Sequence, residues 1–184
     1  MKNKFLLILF LFTFNANALV TIGGYVPFGR STQKEIDGTR NTLEFDPMIS
    51  FNTIIPMMWN QLFLPEAGFV FHSSGVDGAK KRTTFILVDF GYEVLPKILL
   101  RYGFGNFITN IKGEGGAKQM QNGFGTDEFY LPSKSSKSYN TTIDIGAEYA
   151  SGPNTSLRFQ TYMFSPLSST SRKLSYSLSL TYYL

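Results

Sequence analysis

The sequence predicts an all-β fold, an eight-stranded antiparallel up-and-down transmembrane β-barrel. Three observations predict it. Apolar and polar residues alternate with period two in eight stretches of about ten residues, the length a tilted strand needs to cross a bilayer. Long polar connections alternate with short ones, the asymmetry of a barrel with one loop end and one turn end. No stretch after the first eighteen residues approaches the roughly 18 uninterrupted apolar residues of a spanning helix. A closed barrel is the other structure whose backbone hydrogen bonds are all satisfied in lipid.

The chain opens on a segment that reads as a cleaved secretory signal. Lys2 and Lys4 precede the apolar run 5–14 (FLLILFLFTF), and Ala16-Asn17-Ala18 supplies an A-x-A cleavage pattern. Residues 1–18 are therefore assigned to a signal peptide and 19–184 to the barrel. Loss of the two lysines takes the formal charge from +4 to +2.

The strands follow in order. Residues 19–28 align Val20, Ile22, Val26 and Phe28 on one face. Residues 43–52 (LEFDPMISFN) set Leu43, Phe45, Ile49 and Phe51 against Glu44, Asp46, Ser50 and Asn52. Pro47 conflicts with this assignment, because a closed barrel has no free edge for a residue without an N–H, so either a bulge at Pro47 or a different register is expected. Residues 66–74 (EAGFVFHSS) set Ala67, Phe69 and Phe71 against Glu66, Gly68, Val70 and His72. In 84–94 (TFILVDFGYEV), Ile86, Val88, Phe90, Tyr92 and Val94 oppose Phe85, Leu87, Asp89, Gly91 and Glu93. In 98–108 (ILLRYGFGNFI), Leu100, Tyr102, Phe104 and Ile108 oppose Arg101, Gly103, Gly105 and Phe107. Residues 139–149 (YNTTIDIGAEY) and 155–164 (TSLRFQTYMF) alternate likewise, placing Asp144, Glu148 and Arg158 on the polar face. The chain ends on 173–184 (KLSYSLSLTYYL), where Leu174, Tyr176, Leu178, Leu180, Tyr182 and Leu184 share one parity.

Connections 29–41, 75–83, 109–138 and 165–172 are polar and rich in Gly, Ser, Lys and Asn, whereas 95–97 and 150–154 are tight. Residues 53–65 (TIIPMMWNQLFLP) are the misfit, too long and apolar for a neat turn. Gly113 to Gly116 (GEGG) and Gly123-Phe124-Gly125 lack the GK[ST] ending of a phosphate cradle and read as flexible loop. A soluble β-sandwich would share the period of two, and aromatic placement separates the two folds. Tyr92, Tyr149 and Tyr182 fall on the apolar parity near the turn end, with Trp59 and Tyr102 at that level, as an interfacial girdle requires.

Signal, eight alternating segments and terminal strand together resemble the small outer-membrane barrels of the OmpA/OmpX type over the whole mature chain. The resemblance is one of architecture. It implies a Gram-negative outer membrane, a monomer, and a last strand read by the barrel-assembly machinery. In such proteins that strand usually ends on an aromatic; here Tyr182 and Tyr183 precede Leu184.

In that frame the polar parity lines the lumen. Glu44, Asp46, Glu66, Asp89, Glu93, Asp144 and Glu148 are expected there, tied into a charge network by Arg101 and Arg158. The long connections carry twelve basic residues against six acidic ones. Arg30, Lys34, Lys80, Lys81, Arg82, Lys112, Arg172 and Lys173 are candidates to neutralise lipopolysaccharide phosphates at the outer rim. Lys80-Lys81-Arg82 is not read as a nucleic-acid site.

His72 is the single histidine and the chain has no cysteine, so neither metal nor cofactor is expected. His72 and Ser74 are similar to the His-x-Ser pair of outer-membrane lipid A deacylases. Gly75 stands where that family has Asn, and Asp89 or Glu93 would have to orient the histidine. The preferred reading is a non-enzymatic barrel serving envelope integrity or surface contact. A lipid A-modifying hydrolase built on His72 and Ser74, or a narrow polar channel, are the alternatives.

Overall fold

The computed structural model describes residues 17–27, 45–72, 80–121, 125–130 and 133–184. Eight strands close into one antiparallel barrel: β1 (Asn17–Val26), β2 (Asp46–Pro56), β3 (Gln61–Phe71), β4 (Lys81–Leu95), β5 (Ile98–Ile111), β8 (Ser136–Ala150), β9 (Thr155–Phe164) and β10 (Lys173–Tyr183). β6 (Ala117–Gln121) and β7 (Thr126–Tyr130) form a separate hairpin within the β5–β8 connection, where the sequence predicts only polar loop. Every barrel strand pairs with its sequence neighbour in the ring. β1 and β10 close it, with register from Leu19↔Tyr183 to Val26↔Tyr176. This single ring excludes the sandwich. Among the described residues no helix is long and apolar enough to cross a membrane.

Residues 53–65 are not a connection. β2 runs on to Pro56 and β3 begins at Gln61, five residues earlier than the alternation in 66–74 had placed it. Only Met57 to Asn60 turn the chain. Trp59 and Asn60 both have positive φ, 60° and 58°, the pattern of a type I′ hairpin turn whose twist matches the strands it joins. The region misleads because it carries prolines inside strands. Pro65 pairs with Val88 on β4, but the β2–β3 ladder lapses between Asn52↔Glu66 and Ile55↔Phe63, where Pro65 has no N–H to give. Pro47 makes no bulge. Its register with Gly24 is continuous, and the ladder with β3 starts only at the next residue, Met48↔Val70, so Pro47 sits at a strand end where the missing donor costs least. The register shift instead falls between Glu93 and Leu95.

Parity divides the wall into two surfaces. Ile22, Phe51, Phe69, Ile86, Phe104, Ile145, Phe159, Leu178 and Leu180 face outward and are exposed, although all are large and apolar. Thr21, Ser50, Glu66, Asp89, Arg101, Asp144, Glu148, Arg158 and Gln160 face inward and are buried. A water-soluble protein has the opposite arrangement. On β8 the exposed Tyr139 and Tyr149 are ten residues apart. At about 3.3 Å per residue and a tilt of about 40°, that spans ~25 Å, the height of the apolar band on such barrels.

Candidate functional site

Three layers fill the lumen. At mid-height two arginines meet four carboxylates. Arg101 on β5 donates to Glu148 (3.0 Å), Asp89 (3.0 Å) and Glu66 (3.1 Å), all on the near side of the ring. Arg158 on β9 lies four strands from β3 around the ring, so its fork to Glu66, at 2.6 and 2.8 Å, crosses the full width of the lumen. Gln160 donates from one amide nitrogen to both Asp89 (3.1 Å) and Asp144 (2.6 Å). Ser156 and Tyr183 donate to Glu148. Asp89 and Asp144 flank Gly103 in one cross-strand row, and any Cβ at Gly103 would meet Asp89 Oδ1 at 2.5 Å and the Val88 carbonyl at 2.6 Å. Only glycine leaves room for that carboxylate.

Of the residues expected inside, this cluster unites Glu66, Asp89, Asp144, Glu148, Arg101 and Arg158. Glu93 is a correction: it shares their parity, but it lies exposed at the turn end, where the register shifts beside it. Asp46 is buried with a different partner, described below. Glu44 lies outside the described residues. Sequence reasoning did not single out Gln160, although its place on the inward parity of 155–164 carried the signal.

Above the charges lies an apolar layer that the reading of a polar lumen missed. Phe107 stacks on Phe85 (5.1 Å) and meets Tyr162 and Phe164 edge-on (5.2 and 5.0 Å), while Tyr25 stacks from β1 (5.9 Å). Met48, Val70 and Leu87 complete a buried cluster contributed by six strands. Tyr162 keeps its hydroxyl paired with Ser177 at 3.1 Å.

At the loop end the lumen opens into a basic vestibule. A cavity of 790 Å³ is lined by Lys80, Lys81, Arg82, Lys112 and Lys137 together with His72. Glu114 bridges Lys80 (3.0 Å) and Lys112 (3.2 Å), and these two ammoniums hold its carboxyl below the usual carboxylate range. A second cavity of 540 Å³ adjoins, lined by Lys173, Tyr25, Phe107, Thr83 and again His72. Arg172 turns to the Pro166 carbonyl of its own loop (2.9 Å). Arg30 and Lys34 lie outside the described residues.

His72 stands between these cavities with its side chain 3 % exposed. Its Nδ1 is 2.6 Å from Asp46 Oδ2 and its Nε2 is 2.7 Å from Thr83 Oγ1, which in turn is 2.9 Å from Thr109 Oγ1. The register explains the meeting, since continuing Met48↔Val70 by two residues sets Asp46 opposite His72, while Thr83 pairs with Thr109. His72 thus meets Asp46 and Thr83, its acidic partner being Asp46 rather than Asp89 or Glu93, and the expected partner Ser74 lies outside the described residues. Asp46 fixes the tautomer. A carboxylate accepts from Nδ1–H, so in the neutral ring Nε2 accepts from the Thr83 hydroxyl and Thr109 donates to Thr83.

No protein-family model matches the sequence, and no curated protein does. Solved structures do match. The backbone structure of the Yersinia pestis outer membrane protein Ail in a phospholipid nanodisc aligns with TM-score 0.52 over 92 % of this chain and all of that one, at 11 % identity. The chain has the fold of the small outer-membrane barrels. Ail crystallised with the heparin analogue sucrose octasulfate aligns with TM-score 0.50 over 93 % of this chain and all of that one, at 10 % identity. Neisserial surface protein A aligns over 92 % and 96 % of the two chains at 13 % identity and TM-score 0.44. Identities this low leave the vestibule and the lumen network to be argued from this barrel's own residues.

Proposed function

We propose that the protein resides in the outer membrane of a Gram-negative bacterium, loops outward, and works by binding anionic surface molecules through its loop-end vestibule. The chain arrives there behind a cleaved signal and is inserted by the barrel-assembly machinery through its last strand, as a monomer. The observation that carries the reading is the contrast between a filled lumen and a basic, open mouth. Arg158 and Glu66 bar the middle of the barrel, the Phe107 cluster bars the level above, and five basic side chains surround a 790 Å³ cavity beyond them. Clustered Lys and Arg favour multiply charged phosphate or sulfate groups. Lipopolysaccharide phosphates lie at that height in an outer leaflet, which makes surface contact and envelope integrity the role. It is a role of binding and needs no catalytic group. That Ail was solved with sucrose octasulfate makes this polyanion a suitable probe.

The test is titration of the nanodisc-embedded barrel with sucrose octasulfate and with the phosphorylated core oligosaccharide of lipopolysaccharide. Binding should weaken steeply with salt and fall on the order of tenfold when Lys80, Lys112 and Lys137 are replaced by Gln. Salt-independent binding, or none by the unaltered barrel, contradicts the reading.

A further inference from the structure

Beside the basic residues of the vestibule, Thr83, His72 and Asp46 stand in the order of a nucleophile, its base and the base's orienting carboxylate. We infer that Thr83 is a catalytic nucleophile that hydrolyses carboxylic esters on anionic molecules held in the vestibule. For where the substrate sits, the inference rests on the binding role proposed above.

Three observations converge. The carboxylate–imidazole and imidazole–hydroxyl distances, 2.6 and 2.7 Å, are those of a working acid–base–nucleophile set in the resting protein. In the neutral ring the hydrogen-bond order is the productive one, with Nδ1–H donating to Asp46 and Nε2 accepting from the Thr83 hydroxyl. Thr83 and His72, 4 % and 3 % exposed, both line the 540 Å³ cavity, and Lys81 and Lys173 stand on the same wall.

The chemistry balances with water as the second substrate. Thr83 Oγ bonds to the ester carbonyl carbon as its proton passes to His72 Nε2. The carbon–oxygen bond to the alcohol then breaks, and His72 returns the proton to the leaving alkoxide. Water next attacks the acyl-threonine, giving one proton to His72 Nε2. The carbon–Oγ bond breaks, Thr83 Oγ recovers that proton, and the carboxylic acid leaves. Thr109, donating to Thr83 Oγ1 at 2.9 Å, positions the nucleophile.

The folded barrel in detergent is treated with a fluorophosphonate probe and assayed with short-chain p-nitrophenyl esters, alongside Thr83→Ala, His72→Ala, Asp46→Asn and Thr83→Ser. Retained heat-modifiable gel mobility shows that each variant is folded. A probe adduct on Thr83, by peptide mass spectrometry, and hydrolysis reduced on the order of a hundredfold or more in Thr83→Ala and His72→Ala but kept in Thr83→Ser, would establish the activity. No adduct on Thr83, or equal hydrolysis in Thr83→Ala and the unaltered protein, overturns it. Sucrose octasulfate titration of the same variants keeps the two readings apart. Ester cleavage without polyanion binding overturns the binding role and, with it, the assignment of anionic substrates, whereas binding without cleavage overturns the catalytic assignment alone.

Discussion

Glu66 accepts hydrogen bonds from two guanidiniums, Arg101 and Arg158, in the middle of the lumen. Removing one partner leaves charge buried without compensation, which costs about 3–5 kcal/mol. Arg158→Ala is therefore expected to lower stability by about that amount, read as a shift of the urea midpoint, whereas Arg158→Met combined with Glu66→Leu should recover much of it. A smaller and opposite effect belongs to the rim. Glu114 occupies Lys80 and Lys112, so Glu114→Gln should tighten sucrose octasulfate binding several-fold at low salt. The pH dependence has a definite sign. A carboxyl lowered in the folded barrel keeps its bridge above the ordinary carboxylate range and loses it as pH falls, so acid should strengthen polyanion binding in the unaltered protein and not in Glu114→Gln. At this scale the sequence was least legible. The inward parity of Glu66, Asp89, Arg101 and Arg158 could be read from alternation alone. That Arg158 reaches across to Glu66, or that His72 selects Asp46 and Thr83, depends on register between strands distant in sequence, which no local pattern records.

Each strand presents a face whose solvent changes from one residue to the next, and β10 does so most cleanly. Leu178 is near its middle and Leu174 near its loop end, both pointing outward. An arginine in lipid costs about 2–4 kcal/mol at the midplane and about 0–1 kcal/mol near the interface. Leu178→Arg should thus destabilise the barrel in bilayers by the larger amount and Leu174→Arg by the smaller, measured by reversible urea unfolding into lipid vesicles. Seven of the eight barrel strands were legible within a few residues from this alternation, because lipid and packed interior impose opposite demands on consecutive side chains. β3 was the exception. Pro65 interrupts its ladder and Leu62, Phe63 and Leu64 run on without polar relief, so the stretch has neither the period nor the pairing of its neighbours. The β6–β7 hairpin escaped notice for another reason: five-residue strands carry too few repeats to set a period.

As a whole molecule the barrel is a wall around a filled interior. Two obstructions in series, a guanidinium–carboxylate bar and an aromatic layer, separate the turn end from the vestibule. Reconstituted in planar bilayers, the protein should show no discrete conductance steps, and stable steps would count against a sealed lumen. The aromatic layer is also what sequence reading judged wrongly at this scale. Phe85, Leu87 and Phe107 lay on the parity assigned to the lumen, but an eight-stranded barrel is just wide enough for side chains, and large apolar ones fill it as readily as charged ones.

Accessibility along β10 tests the division of the wall most directly. The native chain has no cysteine, so Leu178→Cys, Ser179→Cys, Leu180→Cys and Thr181→Cys each provide one site for a nitroxide spin label. In lipid bilayers, relaxation by oxygen should be strong at 178 and 180 and weak at 179 and 181, with a polar nickel reagent excluded from 178 and 180. Labels at 178 and 180 that respond to nickel as to bulk water, or four sites with no alternation, would contradict a lipid-facing wall.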